Sequence, residues 1–195
     1  QPRMNGETAA QLVAHLSDPN GWWRDTAQRL LVLKQDKSVM PALQQLARSS
    51  TNQLARIHAL WTLDGLQATD AALVRAMLKD TDAQIRLQAI RVSETLYKAG
   101  DRTLADDIKT LVRDRDADVV MQALMTLNHL KVPDVKAVSE GVLASNQARG
   151  VQTVAKALAS TGVVVGRGGA LEMTRTLTEA ETAVLERGRT AYAEV

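Results

Sequence analysis

The chain has 195 residues with 24 Lys and Arg against 22 Asp and Glu, and its charges are interspersed with a formal net charge of +2. It contains no Cys, which excludes disulfides, thiolate metal sites and cysteine nucleophiles. Hydrophobic residues make up 45% of the sequence but aromatic residues only 3%, so the core must be built from aliphatic side chains that suit helix-on-helix packing. We therefore predict an all-α protein.

Residues 1–10 are predicted to be a linker, and a repeated motif then organises residues 11–160. A small alanine recurs with steps of 32, 30, 34 and 32 residues, and three of the copies place an arginine three residues before it. Alanine suits a place where two helices cross closely. The copies are Arg24-Asp25-Thr26-Ala27, Arg56-Ile57-His58-Ala59, Arg86-Leu87-Gln88-Ala89, Val120-Met121-Gln122-Ala123 and a degenerate fifth that ends at Ala155.

A residue that caps helices or opens turns stands six residues before the first motif residue in every copy. Each repeat is therefore predicted to be a helix, a short polar turn and a second helix that carries the motif. The motif arginine is predicted to reach an aspartate of an adjacent turn, which would form a ladder along the stack. These turn residues are Asp18, Ser50, Asp80, Asp114 and Asn146.

First helices are predicted at 38–47, 70–79 and 103–112, with Pro41 early in its helix, where its missing N–H costs little. The fold is thus predicted to be an α-solenoid of about five HEAT-like helical hairpins plus a C-terminal helix. The fixed Trp, Gly, Tyr and Pro positions of tetratricopeptide repeats do not occur in the sequence.

The most exposed line of the second helices is predicted to form an interaction surface for a protein partner, because Trp and Arg dominate binding energies at interfaces. An alternative role for Trp61 is packing between repeats. Of the adjacent pair Trp22 and Trp23, we expect Trp23 to be buried and Trp22 to cover a docking surface. The predicted interaction surface comprises Trp22, Arg29, His58, Trp61, Gln88, Arg91, Gln122, Met125 and His129.

No catalytic, cofactor or metal site is predicted in this chain. His15, His58 and His129 do not have the spacing that places two metal ligands on one helix face. A Gly-x-Ser-x-Gly motif does not occur, and the glycine-rich stretch within the predicted linker 161–176 lacks the Gly-Lys-Ser/Thr of a phosphate-binding loop.

A last helix is predicted over residues 177–195, where Thr178 and Glu181 have the spacing of a capping box. Gly188 and Tyr192 lie four residues apart, so they would share one face of this helix. The segment resembles the first helix of c-type cytochrome domains, in which Cys-x-x-Cys-His follows. The resemblance implies that the chain stops immediately before a haem attachment site, with Val195 preceding the first Cys. An ordinary amphipathic terminal helix is the alternative.

The first two repeats carry a second resemblance through LSDPNGWWRDTAQRLL at 16–31 and ARIHALWTLDGL at 55–66. They resemble the HEAT segment of multidomain bacterial membrane-bound dehydrogenases, in which a sugar-dehydrogenase-like β-propeller precedes the repeats and a c-type cytochrome domain follows them. The resemblance implies a periplasmic or exported protein and a parent that uses haem c and a quinone cofactor, both bound outside this chain.

Two functions are therefore carried forward. The first is a non-catalytic scaffold that links a propeller dehydrogenase domain to a cytochrome domain. The second is an independent protein-binding solenoid. Nucleic acid is a less favoured partner, because the charges are interspersed and form no basic block.

Overall fold

The computed structural model describes residues 3–161, and the predicted linker 161–176 and last helix 177–195 lie outside these residues except for Thr161. Ten α-helices and three short 3-10 turns make up this part of the chain, which contains no strand. The helices are α1 (Ala9–His15), α2 (Gly21–Lys34), α3 (Met40–Ser49), α4 (Gln53–Gly65), α5 (Ala71–Leu78), α6 (Ala83–Lys98), α7 (Leu104–Thr110), α8 (Ala117–His129), α9 (Val135–Ser145) and α10 (Arg149–Thr161).

The helices form five consecutive hairpins that are stacked in chain order. Each odd-numbered helix contacts the even-numbered helix that follows it, and the even-numbered second helices contact one another in succession from α2 to α10. The five motif alanines are fully buried, as the close crossing of helices requires. The all-α prediction and the translational order of the hairpins are therefore confirmed within residues 3–161.

The turns between paired helices follow one pattern that the sequence predicted only in part. The predicted turn residue accepts a hydrogen bond from the backbone N–H two residues later, as between Asp80 and Asp82 at 2.9 Å. In the first four repeats this later residue caps the second helix through its own side chain. Asp18, Ser50, Asp80 and Asp114 therefore open the turns, while Asn20, Asn52, Asp82 and Asp116 are the caps.

The first hairpin extends into the segment predicted to be a linker. Helix α1 begins at Ala9 with Thr8 and Gln11 as a capping box, and Met4 is only 2% exposed. Within the segment 1–10 that was predicted to be a linker, Met4 and Ala9 are buried. Residues 4–10 therefore pack as part of the first hairpin.

Gly65, the last residue of α4, lies close to the side chain of Val32 in α2. A Cβ atom built on Gly65 would lie 2.5 Å from Cγ2 and 3.4 Å from Cβ of Val32 in α2. The side chain of Val32 therefore leaves no room for a Cβ atom at position 65.

Candidate interaction surface

Motif arginines join consecutive hairpins at the turns. Arg86 in α6 donates from Nε and Nη2 to the carboxylate of Asp114 in the next turn, both at 2.7 Å. The two side chains are 6% and 8% exposed, so the pair is buried and bidentate. Arg56 in α4 forms the equivalent ion pair with Asp80. The predicted ladder is thus confirmed for these two arginines.

The carboxylates of this ladder are charged in the folded protein. Burial raises the pKa of Asp114, but hydrogen bonds from Arg86 and from the backbone N–H of Asp116, together with the nearby cations, lower the pKa below its usual value. The pKa of Asp80 is lowered in the same way by Arg56 and Asp82. The ladder therefore stabilises the fold above the pKa of an unfolded aspartate, about 3.9. This stability is lost as the pH falls through the lowered folded pKa.

The ladder is interrupted at Arg24, the motif arginine of the first repeat. Its Nη1 donates to the carbonyls of Asp18 and Pro19 in its own turn, at 2.6 and 2.9 Å. The position that holds Asp80 or Asp114 in later repeats holds Ser50 in the next turn. The Nε atom of Arg24 is buried without a hydrogen-bond partner. For this repeat the prediction that the arginine reaches an aspartate is wrong, because a serine offers no carboxylate.

A second ladder, which sequence analysis missed, joins the first helices. Gln44 in α3 donates to Asp70 at 3.2 Å, and Lys109 in α7 donates to Asp134 at 2.8 Å. Between them Arg75 in α5 binds Asp107 at 2.8 Å. A signal was present in the donors, since Gln44, Arg75 and Lys109 recur with nearly the same period as the motif alanines.

The predicted interaction surface lies where neighbouring second helices meet, and two of its members, Trp61 and Gln88, are hydrogen-bonded to each other. His58 in α4 forms a hydrogen bond of 2.7 Å with Gln28 in α2. Trp61 donates from Nε1 to the side-chain oxygen of Gln88 in α6 at 2.9 Å, and it packs partly buried against the core. Trp61 therefore packs between repeats while part of its side chain remains exposed to solvent.

The nine predicted residues differ in exposure. Gln122 is only 9% exposed and donates to Thr126 at 3.0 Å, so its predicted exposure is wrong. Thr126 donates in turn to Glu94 of α6, so these three side chains form a hydrogen-bonded chain between α6 and α8. Exposed members are Trp22, Arg29, Met125 and His129, and half-buried members are His58, Trp61, Gln88 and Arg91.

Trp22 is more exposed than Trp23, as predicted, but Trp23 is less buried than expected. Trp22 is 54% exposed, the largest aromatic side chain that the described residues present to solvent. Trp23 is half-buried, because it packs against the core on one side and against the ring of His15 on the other, with 4.9 Å between the ring centroids. The expected full burial of Trp23 is therefore wrong.

Two titratable groups on helix α4 have shifted pKa values. Burial, helped by Arg24 and opposed by Asp25, lowers the pKa of His58, which favours a neutral ring bonded to Gln28. Burial raises the pKa of Asp64 against the effect of a hydrogen bond from Thr95, and its Oδ1 has no hydrogen-bond partner. Sequence analysis did not single out Asp64, because one carboxylate in a helix gives no pattern.

Among residues 3–161, no group of three or more His, Cys, Asp and Glu side chains is placed to hold a metal ion. The described helices also include none that is long and apolar enough to cross a membrane.

No protein-family profile matches the chain. A comparison with curated proteins finds no match either. The class that the structure defines is thus an all-α stack of helical hairpins.

Proposed function

We propose that this stack is a non-catalytic HEAT-type scaffold and docking module. In this proposal it links a β-propeller dehydrogenase domain to a c-type cytochrome domain in a periplasmic or exported protein, whose haem c and quinone cofactor are bound outside this chain. The two domains, the cofactors and the location come from the sequence resemblance. The stack of hairpins supports the scaffold role.

One observation supports the scaffold role above all others: side chains cross-link each of the four interfaces between consecutive described hairpins. The first interface has the His58 to Gln28 hydrogen bond, and the second has the Arg56 to Asp80 ion pair. The third has Arg86 bound to Asp114, and the fourth has Lys109 bound to Asp134. Stability in such arrays is approximately a sum of repeat and nearest-neighbour terms. Cross-links at every interface suit a part that holds two other domains at a fixed separation.

The linking role is tested by extending the chain at its C-terminal end. Reading the gene beyond Val195 is expected to reveal Cys-x-x-Cys-His within about fifteen codons. The extended protein, produced together with a cytochrome maturation system, is then expected to bind haem covalently and to show the absorption bands of a c-type cytochrome. A gene without this motif at that place, or an extended protein without covalent haem, would remove the cytochrome part of the proposal.

Trp22 supplies a test of the docking role. In a variant with Trp22 as its sole tryptophan (Trp23→Phe and Trp61→Phe), fluorescence is expected to be readily quenched by acrylamide, because the side chain is 54% exposed. A matched variant that keeps only half-buried Trp61 should be quenched less. In a longer parent protein that contains the upstream domain, quenching of Trp22 should fall. A blue-shifted signal that acrylamide does not quench in the isolated stack would contradict the predicted free docking surface.

The alternative function is an independent protein-binding solenoid. In this alternative a partner protein would contact the exposed members of the predicted surface, among them Trp22, which is 54% exposed, and Met125, which is 46% exposed. Nucleic acid is a less favoured partner, and the expected result of a titration with duplex DNA at low salt is no binding. Binding that weakens steeply with salt would revive that possibility, since released counterions give such a dependence.

A further inference from the structure

Helices α4, α6 and α8 each place one face against the second helix that precedes them, and we call it the leading face. It carries the residue before the motif alanine, as where Gln88 of α6 accepts a hydrogen bond of 2.9 Å from Trp61 of α4. It also carries the sixth residue after the alanine, since Nε2 of His129 in α8 is 2.8 Å from Nζ of Lys98 in α6. In α4 the same two positions hold His58, bonded to Gln28, and Gly65, against Val32.

Two further positions of the leading face are fully buried in α4, α6 and α8. They are the fourth residue before the motif alanine and the third residue after it, and all are 0% exposed. Helix α2 is the first of the second helices within residues 3–161, and its equivalent side chains, Trp23 and Leu30, are only half-buried. The fully buried residues are Ala55, Thr62, Ile85, Val92, Val119 and Thr126.

The leading face of α2 is largely apolar. Trp23, Thr26, Leu30 and Leu33 follow one another at intervals of three and four residues, so they form one stripe along the helix. Leu33 is 67% exposed, the highest value for a large hydrophobic side chain within residues 3–161. A helix face that stays in water is normally polar. The stripe therefore has the composition of a contact surface.

Positive charges border this stripe. Arg29 lies three residues after Thr26 and four before Leu33, is exposed, and forms no ion pair within residues 3–161. Lys34 is exposed at the end of α2 and donates to the backbone carbonyl of Asn5 at 3.3 Å. Both cations can therefore bind acids of a partner.

The one acid of α2 does not neutralise these cations. Asp25 lies on the side of α4, where its Oδ1 is 3.9 Å from Nε2 of His58. Glu7 of the same hairpin is bonded to His15 at 2.8 Å. An acidic helix therefore complements the leading face of α2. A second copy of this chain would instead bring the same cations to both sides of a two-fold contact.

We propose that the leading face of α2 binds an amphipathic helix of a partner protein, one whose apolar stripe is bordered by aspartate or glutamate. The partner helix covers α2 as α2 covers α4. Its apolar stripe packs on Trp23, Leu30 and Leu33, and its acids pair with Arg29 and Lys34. This inference rests on the docking role proposed above and not on the linking role, so it requires no cytochrome or propeller domain.

The probe is a peptide of three Glu-Leu-Ala-Ala-Leu-Glu-Glu units, whose leucines form one stripe at helical spacing. Its control has every glutamate replaced by lysine and keeps the stripe. Binding to the whole chain is followed at constant ionic strength through the indole N–H signal of Trp23 in a ¹H–¹⁵N spectrum, assigned with Trp23→Phe. The glutamate peptide is expected to shift this signal to saturation, whereas the lysine peptide should leave it in place.

Two variants with the same change of charge decide whether the face is the one proposed. Leu33→Glu places a charge in the stripe and is expected to weaken binding of the glutamate peptide by at least about tenfold. Met125→Glu makes the change on α8, at a side chain that is 46% exposed, and should bind within about twofold of the original protein. Both side chains are exposed, so folding is retained.

Three results would each overturn the proposal: an unshifted Trp23 signal in the original protein, equal shifts with both peptides, or undiminished binding by Leu33→Glu. A dimer of the chain that Leu33→Glu dissociates, seen by sedimentation, would also overturn it, because the face would then belong to a second copy. None of these results bears on whether a haem motif follows Val195.

Discussion

Replacing Arg86 with alanine is expected to lower the free energy of unfolding by about 3–5 kcal/mol, the range for removing one partner of a buried ion pair. The substitution leaves Asp114 charged and only 8% exposed, and it also removes both hydrogen bonds from Nη1 to the preceding turn. Urea unfolding at neutral pH measures the change. The third interface should therefore become the weakest in the stack.

The matched control for Arg86→Ala is Arg29→Ala, which removes an exposed arginine from the solvent side of α2. Its effect is expected to stay within about 0.5 kcal/mol, as for most surface substitutions. The variant Arg86→Ala with Asp114→Asn should be more stable than Arg86→Ala alone, because it leaves no buried unpaired charge. A loss below about 1 kcal/mol for Arg86→Ala would show that the turn ladder does not hold the hairpins together.

Gly65→Ala is expected to destabilise the fold by about 1–3 kcal/mol, the usual effect of inserting a methyl group into a filled contact. The new Cβ would lie 2.5 Å from Cγ2 of Val32, and a β-branched side chain within a helix has little freedom to turn away. The same urea titration measures the effect. On helix propensity alone the substitution would be stabilising, so the sign of the change identifies the clash.

The rescue experiment for this contact uses Val32→Ala. Val32→Ala removes the two methyl groups that lie 2.5 and 3.1 Å from a Cβ at position 65 and leaves the Cβ of residue 32 at 3.4 Å, which is an ordinary contact. In the Val32→Ala background, Gly65→Ala should therefore be neutral or stabilising by up to about 1 kcal/mol. An equal loss in both backgrounds would mean that the strain arises elsewhere.

The architecture could be predicted from sequence because the same short motif occurs in five copies, each of which specifies one hairpin. The turn residue, the small alanine and the motif arginine keep fixed offsets, and any one copy can be checked against the others. Asp80 and Asp114 were recognisable as turn residues and as ladder partners for that reason. The exact helix caps could not be predicted. Asp82 and Asp116 are the caps, but Asp80 and Asp114 offer the same carboxylate acceptor two residues earlier.

The candidate surface was harder to predict, because the solvent exposure of a side chain on one helix depends on which side chains of the neighbouring helix pack against it. Gln122 shares the motif position of His58 and Gln88, yet it is buried and hydrogen-bonded to Thr126, which bonds Glu94 of α6. Trp23 is only half-buried, because it packs against the core and against the ring of His15 without being enclosed. The linker prediction failed at Met4, where a single apolar residue gives no periodicity.

The central claim, that five hairpins are stacked in chain order, is tested most directly by distances between spin labels on successive second helices. The chain has no Cys, so labels can be placed one pair at a time. The exposed second residues of the first four second helices are equivalent sites, and Trp22→Cys is paired in turn with Leu54→Cys, Gln84→Cys and Asp118→Cys. The distance measured by pulsed electron paramagnetic resonance is predicted to grow with each added repeat, by about 8–10 Å per helix spacing. A label at position 118 that is no farther from position 22 than the label at position 54 would contradict the stack.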